Sequence, residues 1–325
     1  MDPITNELAQ HLTRRFESQE SVEIRVQTKI TPGPAVPNAP GSFDTHEEHY
    51  VETAAGQRFC EIRGTTDGVL KSHSIHYGSG TRFADLSFDR EDPSRPVMLQ
   101  IKRHYYLEDS SGRKEVPVPL RFFYVGREPL HEALAHGRHL DEGEVIGRKC
   151  ELYLFPQVRM FNAPQDQVYY LDRATGTPLK FEFYRDETAR AENKTLGVWT
   201  AKSVENIQGR LVVVDSTQAA FDPDGNSLGQ WKFHVESIAV NRPYPATMFW
   251  QPPPPGVSVM DTIANKAYQV PGGAPPAPKK EASVGVDPVR AVAPREWPAA
   301  ELAAMSGAAL LLAVGISLWR RRRGA

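Results

Sequence analysis

Histidines and paired acids are the residues of this 325-residue chain best suited to chemistry, and their spacing argues against most of it. The run His131-Glu132-Ala133-Leu134-Ala135-His136 has the composition of a zinc-protease helix. That chemistry needs histidines at i and i+4 on one helix face with a glutamate as general base, and position i+4 here is Ala135. Gly137 ends the predicted helix before His139 could join. His73 and His76 stand three apart in a strand-like run, so they fall on opposite faces. Asp222-Pro223-Asp224-Gly225-Asn226 places oxygens at alternate positions as a calcium loop does. Its twelfth position is Phe233 rather than a bidentate glutamate, and its glycine comes too early, so the spacing predicts a hairpin turn. The chain contains no phosphate-cradling glycine loop and no Cys-x-x-Cys. The sequence thus shows no carrier for catalysis and implies no metal and no cofactor.

Binding chemistry is easier to place. Arg103 interrupts an otherwise apolar face of the predicted strand Val97 to Leu107, where a buried charge would need a carboxylate or a lipid carbonyl as its counterpart. Phe122, Tyr124, Trp199 and Trp231 are large aromatics on strand-like segments and are the candidate lining of a binding cavity, although such residues also fill ordinary cores. Cys60 and Cys150 are the two cysteines: too few for a disulfide scaffold, they form either one bridge or two separate semi-buried thiols. Asn193-Lys194-Thr195 is a glycosylation sequon that matters only in a glycosylating secretory pathway. With 38 Lys and Arg against 40 Asp and Glu, the net charge of −2 offers no field for nucleic acid.

The elements that must position these residues are mostly strands. Asn6 to Phe16 reads as a first helix. From Glu20 the pattern turns to period two, with Val22, Ile24, Val26 and Ile30 on one face and Glu23, Arg25, Gln27 and Lys29 on the other. Further short runs follow over 46–53, 57–64, 69–78 and 81–90, punctuated by Gly, Asp and Ser, as an antiparallel meander requires. A short helix over Pro129 to Ala135, with its stripe Leu130, Ala133 and Leu134, reads as a brace on the sheet. Gln167 to Asp172 and Pro178 to Asp186 flank a hairpin turn. Strand-like runs then continue to Val240.

The C-terminal part changes character. Pro271 to Pro298 is rich in Pro, Ala, Gly and Val, as an extended linker is. Leu302 to Trp319 carries no charge and is followed at once by Arg320 to Arg323. A helix over that run covers roughly 27 Å, close to the hydrocarbon thickness of a bilayer, and the arginines belong on the cytoplasmic side. A Pro-rich approach, an apolar helix and terminal arginines also occur in cleaved sorting signals, but Pro294-Arg295-Glu296-Trp297-Pro298 stands where such a signal has Pro-Glu-Pro. The N-terminus shows no basic region followed by an apolar run, so either the start lies upstream of Met1, the reading preferred for an exported domain, or the protein is tail-anchored with its domain in the cytosol.

Two motifs carry a resemblance. Val235 to Asp261 ends in a polar-proline turn, Phe249, and then Pro255, Gly256, Val257 and Asp261; the hairpin before it has Asp172, Gly176, Pro178 and Leu179. Over Asn6 to Asp261 this resembles the LolA-like superfamily of periplasmic lipoprotein carriers, receptors and sigma-factor regulators. The resemblance implies a mainly β (α+β) fold, an antiparallel unclosed β-barrel wrapped around helices, whose concave apolar face accepts acyl chains. The expected organisation is a half-barrel domain over 1–264, a linker over 265–300, a transmembrane helix over 301–320 and a basic tail over 321–325. The expected function is a membrane-anchored, extracytoplasmic, non-catalytic module that binds lipid acyl chains or lipoproteins. The alternative is an envelope sensor that uses the same fold to bind another protein.

Overall fold

A computed structural model describes residues 2–34, 44–103, 116–160 and 163–272. The first elements in chain order are α1 (Pro3–Glu17), β1 (Ser21–Pro32), β2 (Thr45–Thr53), β3 (Gln57–Thr66), β4 (Val69–Ser79), β5 (Arg82–Phe88) and β6 (Pro96–Lys102). A covering segment follows, with a 3-10 turn at Leu120–Phe123, β7 (Tyr124–Val125), β8 (Glu128–Pro129) and α2 (Leu130–Ala133). A second meander contains β9 (Arg138–Val145), β10 (Arg148–Met160), β11 (Ala163–Asp172), β12 (Pro178–Tyr184), α3 (Glu187–Ala191), β13 (Thr195–Ile207), β14 (Arg210–Phe221) and β15 (Ser227–Val240). The chain then forms α4 (Ala246–Phe249), β16 (Ser258–Asp261) and β17 (Lys266–Gln269).

One 15-stranded sheet runs in the order β17-β16-β6-β5-β4-β3-β2-β1-β15-β14-β13-β12-β11-β10-β9. Its neighbours are antiparallel except β16, which runs parallel to β6. The end strands β17 and β9 do not pair with each other among the described residues, so the sheet is unclosed. β17 also carries the sheet into residues that the sequence assigns to the linker.

Helix α1 begins at Pro3 because Asp2 caps it: the Asp2 carboxylate accepts from the Thr5 backbone N–H at 2.9 Å, and Pro3 needs no hydrogen-bond partner for its nitrogen. Leu8 and Leu12 form its buried stripe, and they pack against the inner face of the sheet. The turn after β11 closes on this helix. Gly176 has φ +70°, and a Cβ there would stand 3.0 Å from Leu12 Cγ, so both the backbone and the contact require glycine. Asp172 braces the same turn by accepting from Thr175 Oγ1 at 2.6 Å and from Arg148 Nε at 2.8 Å. The Asp222 to Asn226 segment is the hairpin turn between β14 and β15, with Asn226 N donating to Asp222 Oδ1 at 2.8 Å.

Burial divides along the two faces of the sheet. The inner face buries Ile24, Tyr50, Tyr169, Phe181, Trp199 and Trp231 under α1, the covering segment and α2. The outer face of β2 to β6 buries Val51, Phe59, Tyr77, Leu86, Leu99 and Ile101 under Phe249, Val257 and Val259. The Phe249 and Val257 positions of the C-terminal motif therefore seal the back of the first meander.

The transmembrane part of the expected fold is corrected. Among the described residues no helix is long and apolar enough to cross a membrane. The reason is physical: α1 has 15 residues but only one apolar stripe, α2, α3 and α4 are each about one turn long, and most apolar residues among those described lie in strands. The segment 301–320 and the basic tail lie outside the described residues.

The outer face also holds an acid-sensitive contact. Glu61 Oε1 accepts from His73 Nε2 at 2.9 Å and from Arg63 Nη2 at 2.7 Å, and the His73 ring stacks on Phe88 at 3.8 Å. The His73 hydrogen bond, opposed by burial and reinforced by Arg63, holds the Glu61 carboxyl down from 4.5 to about 2. A carboxyl depressed on folding contributes stability above its unfolded value, and that stability is lost as pH falls through the folded value. Denaturant unfolding should therefore show stability declining between pH 4.5 and about 2. Glu61→Gln should make that decline shallower, and identical slopes in both proteins would remove Glu61 as its source.

Candidate functional site

The strand registers line up one row of side chains across the inner face. His139 on β9 stands opposite Tyr153 on β10, Tyr153 opposite Tyr169 on β11, and Tyr169 opposite Phe181 on β12. Phe181 stands opposite Trp199 on β13, Trp199 opposite Gln218 on β14, Gln218 opposite Trp231 on β15, and Trp231 opposite Ile30 on β1. Directly opposed residues share a face and approach within about 4.5–5.5 Å at Cβ, so Tyr153 to Trp231 form an aromatic wall interrupted by Gln218. Tyr153, Trp199 and Trp231 are essentially inaccessible. Tyr169 packs edge-on against Phe181, with ring centroids 4.8 Å apart. Beside the wall, Gly197 leaves room for the Phe183 ring, which comes within 2.3 Å of where a Cβ would sit.

The cover over this wall is built from α1 and the segment that contains the 3-10 turn. Phe122 lies on Trp199 at 4.3 Å and on Phe181 at 5.3 Å. Tyr169 donates its hydroxyl hydrogen to the Tyr124 carbonyl at 2.7 Å, and the Tyr153 hydroxyl meets Thr5 Oγ1 of α1 at 2.7 Å. Burial pushes the Tyr169 hydroxyl pKa up, so it remains a neutral donor. Phe16 of α1 packs edge-on against Phe123 and Tyr124, which ties the two covering pieces together. Among the described residues β7 and β8 pair only with each other, and no backbone ladder joins this cover to the large sheet.

Under β2 to β6 the same inner face is charged. Cys60, His76 and Asp85 stand directly opposite one another on β3, β4 and β5. His76 Nδ1 and Asp85 Oδ1 are 2.8 Å apart, and Lys102 Nζ contacts the other Asp85 oxygen. Burial pushes the Asp85 carboxyl up, but the His76 hydrogen bond and the charges of His76 and Lys102 outweigh it and hold the carboxyl below its usual range. Arg58 Nε donates to Glu52 at 2.9 Å, and the Tyr50 hydroxyl donates to the same carboxylate at 3.0 Å. Among the described residues no group of three His, Cys, Asp or Glu side chains is placed to hold a metal ion.

The structure brings several of the sequence candidates together. Phe122 and Trp199 are in ring contact, and Trp231 lies two strands further along the same wall. Tyr124 is half-buried and contributes its carbonyl, while desolvation pushes its hydroxyl pKa up. Arg103 is exposed at the bend after β6 and does not belong to the wall. Cys60 and Cys150 are both buried and both free. His131 packs 5.0 Å from Phe16, and His136 pairs with Glu128. Tyr153, Tyr169, Phe181 and Gln218 escaped the sequence reading because only strand register shows that they share a line with the tryptophans.

No family model matches the chain, and no curated protein matches it. Solved structures are similar to it. A LolA superfamily protein, NE2245 from Nitrosomonas europaea, is similar over 76% of this chain and 97% of that one, at 12% identity and a TM-score of 0.46. A DUF1329 family protein from Desulfovibrio piger is similar over 77% and 98%, at 12% identity and a TM-score of 0.49. A putative outer membrane lipoprotein-sorting protein domain from Vibrio parahaemolyticus is similar over 75% and 94%, at 11% identity and a TM-score of 0.46. The unclosed antiparallel sheet around α1 is the architecture that the resemblance to the LolA-like superfamily implies.

Tyr169→Phe removes the donor that anchors the cover to the wall. Equilibrium urea unfolding should show a loss of about 0.5–1.5 kcal/mol. An unchanged midpoint would mean that this hydrogen bond does not hold the cover.

Proposed function

We propose that this chain is a non-catalytic binding module of the cell envelope that holds a lipid or lipoprotein acyl group against the inner aromatic wall. The observation that carries the reading is the wall itself: Tyr153, Tyr169, Phe181, Trp199 and Trp231 fall in one register-defined line. A packed core needs no such alignment across six strands, whereas an elongated apolar ligand is matched by it. The cover supports the same reading. It rests on the wall through Phe122 and the Tyr169 hydroxyl without a backbone ladder, so it is the part of the inner layer that costs least to displace. In this reading the acyl chain takes the place of Phe122 and its neighbours.

A second reading is an envelope sensor or interaction domain that binds another protein without lipid. It is favoured by the charged half of the inner face, where Glu52, Arg58, His76, Asp85 and Lys102 offer nothing to a hydrocarbon chain. Native mass spectrometry of the protein purified from its own cells in mild detergent separates the two. Co-purified lipid at a fixed stoichiometry is the expected result. A reproducibly empty protein that still captures an envelope partner would replace the lipid reading with the second one.

A further inference from the structure

The aromatic wall has an unusual polar centre. Trp199 and Trp231 are 0% and 1% exposed, and neither indole Nε1–H has a hydrogen-bond partner. They flank Gln218, itself only 7% exposed, on the three adjacent strands β13, β14 and β15. Buried donors without partners are rare in folded proteins and each calls for an explanation. The rest of the wall sharpens the contrast: the Tyr153 hydroxyl is met by Thr5 and the Tyr169 hydroxyl by the Tyr124 carbonyl. The cover therefore satisfies the hydroxyls at one end of the wall and leaves the indoles at the other end unmet.

We propose that Trp199, Gln218 and Trp231 form a hydrogen-bonding station for the carbonyl oxygen of an acyl ester or amide, the head of the acyl group that the wall holds. This rests on the acyl-binding reading above. An indole N–H can only donate, so the ligand must bring acceptors, and the Gln218 amide adds one more donor group between the two rings. The wall carries no charged residue from Tyr153 through Tyr169, Phe181, Trp199 and Gln218 to Trp231. Burying a carboxylate or a phosphate there would leave an anion without a cation, which is far costlier than burying a neutral carbonyl. The station thus distinguishes an esterified or amide-linked acyl chain from a free fatty acid and from an ether-linked chain of the same length.

The test compares two probes on the full chain: palmitoyl lysophosphatidylcholine and its hexadecyl ether counterpart, each titrated calorimetrically below its micelle concentration. The wild-type protein should prefer the ester by roughly 5- to 30-fold, the effect of one or two neutral hydrogen bonds. Trp199→Phe and Trp231→Phe keep an aromatic ring and lose the donor, so each should cut the preference by several fold and the double variant should abolish it. Equal affinity of the wild-type protein for the two probes overturns the station while leaving the acyl-binding reading in place. Binding of neither probe overturns both. A double variant that folds and still prefers the ester also overturns the station. If a variant fails to fold, the wild-type ratio of the two probes alone decides.

Discussion

A sheet that curves without closing must have its inner face covered by something else, and most features of this protein follow from that constraint. A closed barrel buries its interior with its own strands. Here β17 and β9 remain apart among the described residues, so α1 and the 3-10 segment supply the missing apolar surface. The two pieces are held differently. α1 is capped by Asp2, wedged by Leu12 against Gly176 and bonded to Tyr153 through Thr5, so it belongs to the permanent core. The 3-10 segment rests on the wall through ring contacts and the Tyr169 hydroxyl bond to the Tyr124 carbonyl.

The sharp change in chemistry along the inner face gives the molecule a direction. From Tyr153 to Trp231 the row is uncharged and mostly aromatic, while Glu151, two residues before Tyr153 on β10, is buried and held by His139 and Arg173 at the β9 end. From β2 to β6 it is ionic, with Asp85 compensated by His76 and Lys102, and Glu52 by Arg58. Buried ions at this cost are retained only where they are paired, and each of these carboxylates has its cation. An amphiphile laid along such a face would meet apolar and polar surface in sequence, as its own tail and head require.

Part of this was legible in the sequence. The period-two pattern of Val22, Ile24 and Val26 reported a half-buried strand correctly, because only one face of β1 meets the inner core. The turns at Asp222 to Asn226 and at Arg173 to Thr177 were readable because their side chains bond their own backbone. The start of α1 came earlier than its apolar pattern suggests, since the Asp2 cap rather than hydrophobicity sets it. Trp199, Trp231 and Phe122 could be named from residue type. Their alignment with Gln218 could not, because it depends on register shifts near Ala201 and Ala220 that no local signal announces. The pairing of His76 with Asp85 likewise exists only through the register of β4 and β5. The membrane-spanning helix was inferred from the composition of residues 302–319, whereas the described helices are short or amphipathic.

Hydrogen exchange with and without a bound acyl probe tests most directly whether the acyl group replaces the cover. Amides of 116–125 should exchange faster when palmitoyl lysophosphatidylcholine is bound, while those of β10 to β13 stay protected. Unchanged exchange across 116–125 under saturating probe would show that the cover is fixed core and that the wall is not a binding face.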